Sequence, residues 1–541
     1  MKSKIILLII IALAFFLRFY RLNDYPALNA DEAAIGYNAY SLIQTGRDEH
    51  GNPWPIHFQS FNDFKPGLYF YLVIPFVKAL GLNEWAVRIP GALLGVGTVL
   101  VIYFLVKEIF KDRSLALVSA FFLAVSPWHL HFSRGGWEVN TATFLITLGV
   151  WLFIRGLRNS RYFIGSVLSF ALSLYAYHAA RIVVPLLGIG LVAVYFKSLK
   201  NNLKPVLVAG VMGLLVLFPL ARDFTRGAVV SRAAGVGLFA DPGPLARINE
   251  QRGEHLNFQA LGAKILHNKG VNYGLAFVQN WAEHFWGEFL FISGDDIQRN
   301  KVPETGQMYL LGFLFVIAGL VFIVKRPKGW TPILIWLVVA PAAAALTFQS
   351  PHALRAQNMV IPLTIVSAYG LVSLLDFLRR IIKRKVVLNI IFVGFLTVIG
   401  LGFARYLHMY WVHMAKEYPF SSQYGLKELV SYVQKNQDKY QKIVVTDRYD
   451  QPYVMFLFYL KYPPQDFQNE HRLTPRDKFG FSTVREFDKY VFVPVSDWDK
   501  IRTDYPNSLI AGTDEEIPNE ANVIQRIYGT NGYLYFELVA N

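Results

Sequence analysis

The chain has 541 residues, 54% of them hydrophobic and only 17% charged, with a formal net charge of +15. That balance is far from an ordinary soluble domain and points to a polytopic membrane protein. The basic residues gather in short segments between apolar runs, which sets nucleic acid aside as a partner, and the lack of cysteine excludes disulfides and thiolate metal sites.

The first apolar run, Ile5 to Tyr20, follows Met1-Lys2-Ser3-Lys4 and has no small-residue cleavage site after it. It reads as an uncleaved first span that starts on the cytoplasmic side. Residues Arg21 to Trp85 are too polar and turn-rich to cross as a unit. They read as an outer loop lying on the membrane, with amphipathic helices at Asp31 to Ile43 and Pro66 to Leu80. The turn-dense run Arg47-Asp48-Glu49-His50-Gly51-Asn52-Pro53-Trp54-Pro55 lies between them.

From Val87 onward, spans are expected near 87–106, 114–131, 137–154, 162–178, 182–196, 205–220, 307–324, 330–347, 358–378 and 386–405. Basic clusters at Lys107 to Arg113, Arg155 to Arg161, Lys197 to Lys204, Lys325 to Lys328 and Arg379 to Lys385 all fall inside in this register. With the first span this makes about eleven transmembrane helices. The expected location is the cell membrane, with the N-terminus cytoplasmic.

Four further segments then share the outer side with Asp31. They are Ser133 to Glu138, Tyr177 to Arg181, the long stretch Ala221 to Gly306, and Gln349 to Arg355. Within the long stretch, Tyr273 to Ile292 is aromatic and amphipathic, and is expected to dip onto the membrane. After Trp411 the composition turns soluble. Strand-like runs at Lys442 to Thr446, Tyr490 to Val495, Val523 to Tyr528 and Tyr533 to Leu538 alternate with helical pattern at Gln423 to Gln434 and Tyr453 to Leu460. Asn531-Gly532 is a hairpin signal between the last two strands. The expected division is a membrane domain 1–414, with outer loops 21–85 and 221–306, and an extracytoplasmic α/β domain 415–541.

The outer face concentrates the chemistry. Asp31 and Glu32 lie just beyond the first span, where a carboxylate pair either caps an interfacial helix or moves a proton. Glu138, in Arg134-Gly135-Gly136-Trp137-Glu138, is the second acidic candidate, with an ion pair to Arg134 as its plainer role. Two such carboxylates can share a divalent cation, with His50 or His57 adding imidazole; Glu32, Arg134 and His178 are kept as substrate or metal candidates. Lys65 is expected to open the second interfacial helix, whose start favours an anion. Arg181, His352 and Arg355 sit at outer span ends and offer donors to phosphate; the alternative for each is a charge snorkelling to the headgroup level. No nucleotide sugar is ordinarily available outside a cell, so an activated group must arrive on something that can cross, and a lipid phosphate is the natural carrier. A transporter or lipid flippase is the rival, but ionisable residues at the midplane and paired broken helices are lacking in the pattern.

Asp31-Glu32-Ala33, Lys65-Pro66-Gly67-Leu68-Tyr69, Phe132-Ser133-Arg134 with Glu138, and Pro351-His352-Ala353-Leu354-Arg355 resemble the dolichyl-phosphate-mannose protein mannosyltransferase superfamily, over roughly residues 1 to 410. The likeness is nearer to its prokaryotic members, which include the lipid A aminoarabinose transferase type. Where the family reads Lys-Pro-Pro, this chain has Lys65-Pro66-Gly67. The resemblance implies the membrane glycosyltransferase fold called GT-C, a polyprenyl-phosphate sugar donor and inversion at the anomeric carbon. It puts the first-loop acid on Asp31, the loop lysine on Lys65 and the acid after the third span on Glu138. The acceptor class, whether lipid, glycan or protein, is left open.

Overall fold

Within a bilayer every backbone N–H and C=O must be paired inside the protein, so long apolar runs fold as helices. The computed structural model describes residues 2–60, 63–224, 236–325, 328–418, 421, 423–475 and 482–541. The stretch 225–235 of the second polar segment, and positions 326 and 327 of the cluster Lys325 to Lys328, lie outside the described residues.

Every apolar run read as a span is helical. Among the described residues, six helices are long and apolar enough to cross a membrane: Glu84–Phe110, Glu138–Gly156, Ala180–Lys200, Leu203–Phe224, Gln357–Ile381 and Lys385–Glu417. Shorter apolar helices at Arg113–Ala124, Tyr162–Leu174, Leu311–Lys325 and Thr331–Ala345 occupy further runs. The protein is a multi-pass membrane protein.

The chain forms two compact units. The first comprises Met1–Leu17, Leu94–Phe132 and Val139–Leu407. Its helices meet through small residues, the usual route to close packing where lipid is as apolar as the protein. The helices Leu311–Lys325 and Val360–Ile381 approach so closely that a Cβ on Gly370 would lie 1.8 Å from the Phe315 carbonyl oxygen. Asp112 starts the helix Arg113–Ala124 by accepting from the Ser114 and Leu115 N–H groups.

The second unit gathers Arg18–Leu93, Ser133–Glu138 and His408–Asn541. The helix Ala30–Thr45 appears where its spacing predicts, but the second interfacial helix runs Leu68–Leu80. Lys65 therefore does not open that helix. It lies in strand β2 (Asp63–Pro66), opposite Phe58 of β1 (His57–Ser60), because pairing along the hairpin extends the chain up to the glycine at 67. The expectation of an anion site at a helix start beginning with Lys65 is corrected accordingly.

The tail carries a mixed sheet of β3 (Lys442–Val445), β4 (Arg472–Leu473), β5 (Val484–Phe487), β6 (Tyr490–Phe492), β7 (Ser508–Gly512), β8 (Val523–Tyr528) and β9 (Leu534–Ala540). Its order is β4-β5-β6-β3-β7-β9-β8, with β3 parallel to both β6 and β7 and the other pairs antiparallel. The Asn531-Gly532 signal is the turn of the β8–β9 hairpin, where the Gly529 N–H donates to the Tyr533 carbonyl at 2.8 Å. One sheet face packs Val444, Val491 and Ile510 against Ile501 of the helix Trp498–Asp504. The other contributes Ile443, Val445 and Leu509 to a large cluster with Val454, Phe456 and Phe458 of the helix Pro452–Leu460. That cluster also contains Ala33, Ala34, Ile35 and Tyr37, so the first polar segment and the tail share one core.

Candidate active site

Asn29 caps the helix Ala30–Thr45. Its side chain accepts from the Glu32 N–H at 3.0 Å while Glu32 Oε2 accepts from the Asn29 N–H at 3.3 Å, a reciprocal box that fixes the first turn. The two neighbouring carboxylates are thereby given different surroundings. Glu32 is buried against Arg88, with Nε to Oε1 and Nη2 to Oε2 both 2.7 Å. The remaining Arg88 N–H groups donate to the carbonyls of Leu22 (2.9 Å), Pro26 (2.9 Å) and Ala27 (3.1 Å). A fully buried guanidinium with every donor used is a structural clamp, and its fork matches the carboxylate.

Asp31 keeps 27% of its side-chain surface exposed and contacts the Lys65 ammonium, which retains 10%. The sequence pairs Asp31 with Glu32; the structure pairs Asp31 with Lys65 and Glu32 with Arg88.

Glu32 Oε1 also accepts from the Gly136 N–H at 2.8 Å, which ties the segment Ser133–Glu138 to this helix start. A Cβ on Gly91 would stand 2.8 Å from the Gly135 carbonyl oxygen, so the segment lies directly on the helix Glu84–Phe110. Glu138 is the first residue of the helix that follows and is half-buried. The Tyr69 ring is within electrostatic reach of Glu32, Glu138 and Arg88, and its hydroxyl donates to the Val87 carbonyl at 2.8 Å. Arg134, expected as a substrate or metal candidate, is buried. It donates to the Tyr410 hydroxyl (3.0 Å) and the Tyr20 and Tyr25 carbonyls (2.8 and 3.3 Å), with its guanidinium 4.7 Å from the Trp411 ring centre. Those partners bind the Ser133–Glu138 segment to the start of the tail.

In the first unit, three of the predicted residues line one cavity. His178, Arg181 and Arg355 face a space of about 410 Å³ whose other walls include Ile182, Phe224, Leu238, Phe239 and Leu346. Arg181 lies 2.9 Å from His178 Nδ1 and donates to the Leu174 carbonyl at 3.2 Å. Arg355 donates to Thr347 Oγ1 at 2.7 Å and Gln349 Oε1 at 3.3 Å. The Leu238 N–H donates to the Leu346 carbonyl at 2.8 Å, joining two walls. Cations above apolar walls suit a ligand with a phosphate head and a hydrocarbon tail. His352 is not part of that lining; it is buried beside Asp295, with Nδ1 3.7 Å from Oδ2.

Among the described residues, no group of three or more His, Asp or Glu is arranged to hold a metal ion. His57 lies in β1, and His50 lies in a buried cluster with Glu49 and His471. In that cluster His471 Nδ1 donates to the Phe467 carbonyl (2.8 Å), leaving its Nε2 to accept from His50 Nδ1 at 3.3 Å. His50 Nε2 then turns a lone pair toward Glu49 Oε1, 3.6 Å away, and Tyr453 OH approaches the same oxygen at 3.5 Å. Burial pushes the Glu49 carboxyl up to about 8, and burial pushes His50 down to about 3. Between the usual carboxyl range and about 8, the folded protein holds a proton that the unfolded chain has released, so stability falls as pH rises through that window. His50 acts oppositely, costing stability as pH drops below the usual imidazole range. Glu49→Gln removes only the first effect. The variant's melting temperature relative to wild type should climb steadily from acid pH to about 8; a difference that is flat with pH would rule out a buried neutral Glu49.

Arg88, Glu49 and Asp295 were not singled out as site residues in the sequence. Arg88 looks like a span-flanking charge, and Asp295 like one more polar residue of a long loop. Burial by distant segments is what sets them apart, and a single sequence carries no mark of it.

The fold is similar to that of solved membrane glycosyltransferases of the GT-C type. Residues 65–221 match the family model described as dolichyl-phosphate-mannose-protein mannosyltransferase. The chain is similar along 98% of its length, and 97% of the other's, to ArnT from Cupriavidus metallidurans bound to undecaprenyl phosphate, with a TM-score of 0.56 and 11% identity. It is also similar to the oligosaccharyltransferase AglB from Archaeoglobus fulgidus in complex with an inhibitory peptide and a dolichol-phosphate. That likeness has a TM-score of 0.50 and 15% identity, over 84% of this chain and 63% of that one. A Bacillus subtilis (strain 168) protein, "Putative mannosyltransferase YkcB", is 31% identical over 81 residues, which are 15% of this chain and 11% of that protein.

Proposed function

We propose that the protein moves a sugar from a polyprenyl-phosphate donor to an acceptor hydroxyl at the outer face of the cell membrane, with inversion. The observation that carries this reading is the Asp31–Lys65 contact: a partly exposed carboxylate, on a helix start that Glu32, Arg88 and Gly136 immobilise, meets the buried ammonium of a residue in β2. The acceptor hydroxyl gives its proton to Asp31 as its oxygen bonds to the anomeric carbon. The bond from that carbon to the phosphate oxygen breaks in the same displacement, and the lipid phosphate leaves with the electron pair. Lys65 turns from Asp31 to the phosphate as the donor binds, freeing the base at the moment it is needed. Glu138 assists by holding the acceptor.

The cavity with Arg181 and Arg355 supports a lipid-phosphate donor, since its polar groups are cationic and its walls are apolar. The lipid phosphates in the two similar structures support the same donor class. The acceptor is a lipid, glycan or protein hydroxyl.

The test is release of polyprenyl phosphate from a panel of polyprenyl-phosphate sugars by the purified full-length protein. Release that depends on an added acceptor supports transfer. A folded protein that consumes no donor of a broad panel, while carrying lipid across vesicle membranes, overturns it.

A further inference from the structure

The turn that carries His352 and Arg355 is held from beneath by a carboxylate outside the catalytic pair. Asp295 is fully buried, and its oxygens accept from three places: the Ile297 N–H (2.8 Å), the Asn300 side chain (2.9 Å) and the Ala353 N–H (2.6 Å). The last bond is long-range and falls within the turn itself. On the other side of that turn, the His352 N–H donates to His284 Nε2 at 3.1 Å, while His284 Nδ1 donates to the Asn280 carbonyl at 2.8 Å. His352 Nδ1 in turn accepts from the Arg355 N–H at 3.4 Å. The backbone from 352 to 355 is thus pinned at successive positions, and the Arg355 head is aimed by Thr347 and Gln349 into the cavity that Arg181 shares.

Burying a carboxylate is costly unless its bonds do something that apolar packing cannot. Three donors converging from two separate segments onto one acid fix a backbone path more tightly than packing alone.

We propose that Asp295 is a positioning residue for donor binding: through the Ala353 N–H it holds the 352–355 turn so that the Arg355 guanidinium stands ready for the phosphate of the lipid donor. This rests on the lipid-phosphate reading above. Asp295 touches neither substrate nor reacting atom; its effect passes through Arg355.

Binding of undecaprenyl phosphate to the purified full-length protein in detergent, together with donor KM and kcat, tests the assignment. Asp295→Asn, which leaves one of the converging donors facing an amide N–H₂, should weaken binding and raise KM by about tenfold, the worth of one buried hydrogen bond, with kcat little changed. In an Arg355→Met background the same substitution should add no further loss, because a residue acting through Arg355 has nothing left to act on. Should Asp295→Asn fail to fold, Asn300→Ala removes one donor and leaves the carboxylate in place, and should raise KM by about threefold. Unchanged KM in the folded variants, or losses that add to that of Arg355→Met, overturn the assignment alone. Wild type that does not bind the lipid phosphate overturns the functional reading and this inference with it.

Discussion

Asp31→Asn should lower sugar transfer by about 10²- to 10⁴-fold, the usual worth of a positioned base, while lipid-phosphate binding persists. The contact with Lys65 allows a second account, in which Asp31 only holds the lysine in place. The two accounts separate in a double-mutant cycle. As a base, Asp31 governs kcat, and Lys65→Met acts mainly on donor KM and on the departing phosphate, so the paired variant loses more than either alone. As a mere anchor, Asp31→Asn and Lys65→Met would produce the same loss and the pair no more. Asparagine keeps the shape, so thermal unfolding of the variant in detergent should stay close to wild type. Donor turnover by initial rates, with the melting curve as control, is the measurement.

Arg88→Met should cost about 3–5 kcal/mol of stability, because it strands the Glu32 carboxylate in a site closed to water. Lysine should not rescue it. An ammonium presents one compact charge where Glu32 and three carbonyls are met by a planar fork. Glu32→Gln combined with Arg88→Met removes both charges and should recover part of the loss, which a detergent melting series on the four proteins would show. Activity should fall further than stability in Arg88→Met. The same carboxylate that Arg88 neutralises holds Gly136 and the first turn that carries Asp31. A melting temperature unchanged by Arg88→Met would remove the pair from its structural role.

Much of this architecture is legible in the chain. The apolar runs and their basic ends give the helices because the bilayer leaves no alternative, and the helix read from Asp31 begins one residue earlier, at Ala30, with Asn29 as its cap. The Asn531-Gly532 turn is equally local. What escapes is non-local. Lys65 is drawn into a strand by its pairing with the run at His57, and Pro66, a sound helix opener on its own, ends that strand instead. Ser508–Gly512 is a buried strand paired on both sides, and its run lacks the alternation that marks a half-exposed one. The acidic pair shows the same limit at the site. Adjacent carboxylates look alike in sequence, and only a guanidinium 56 residues further on makes one a clamp while the other stays partly open.

The shared core of the first polar segment and the tail sets an order on biosynthesis. Ala33, Ile35 and Tyr37 leave the ribosome early, yet the side chains of Val454, Phe456 and Phe458 that cover them come about 400 residues later, some 20 to 80 s at ordinary rates of translation. Until then the helix bearing Asp31 has no finished surface to settle on. A chain cut short by a stalled ribosome or a frameshift would insert its spans and still lack a seated helix at Asp31. Completion of synthesis thus becomes a condition for seating the helix that carries Asp31.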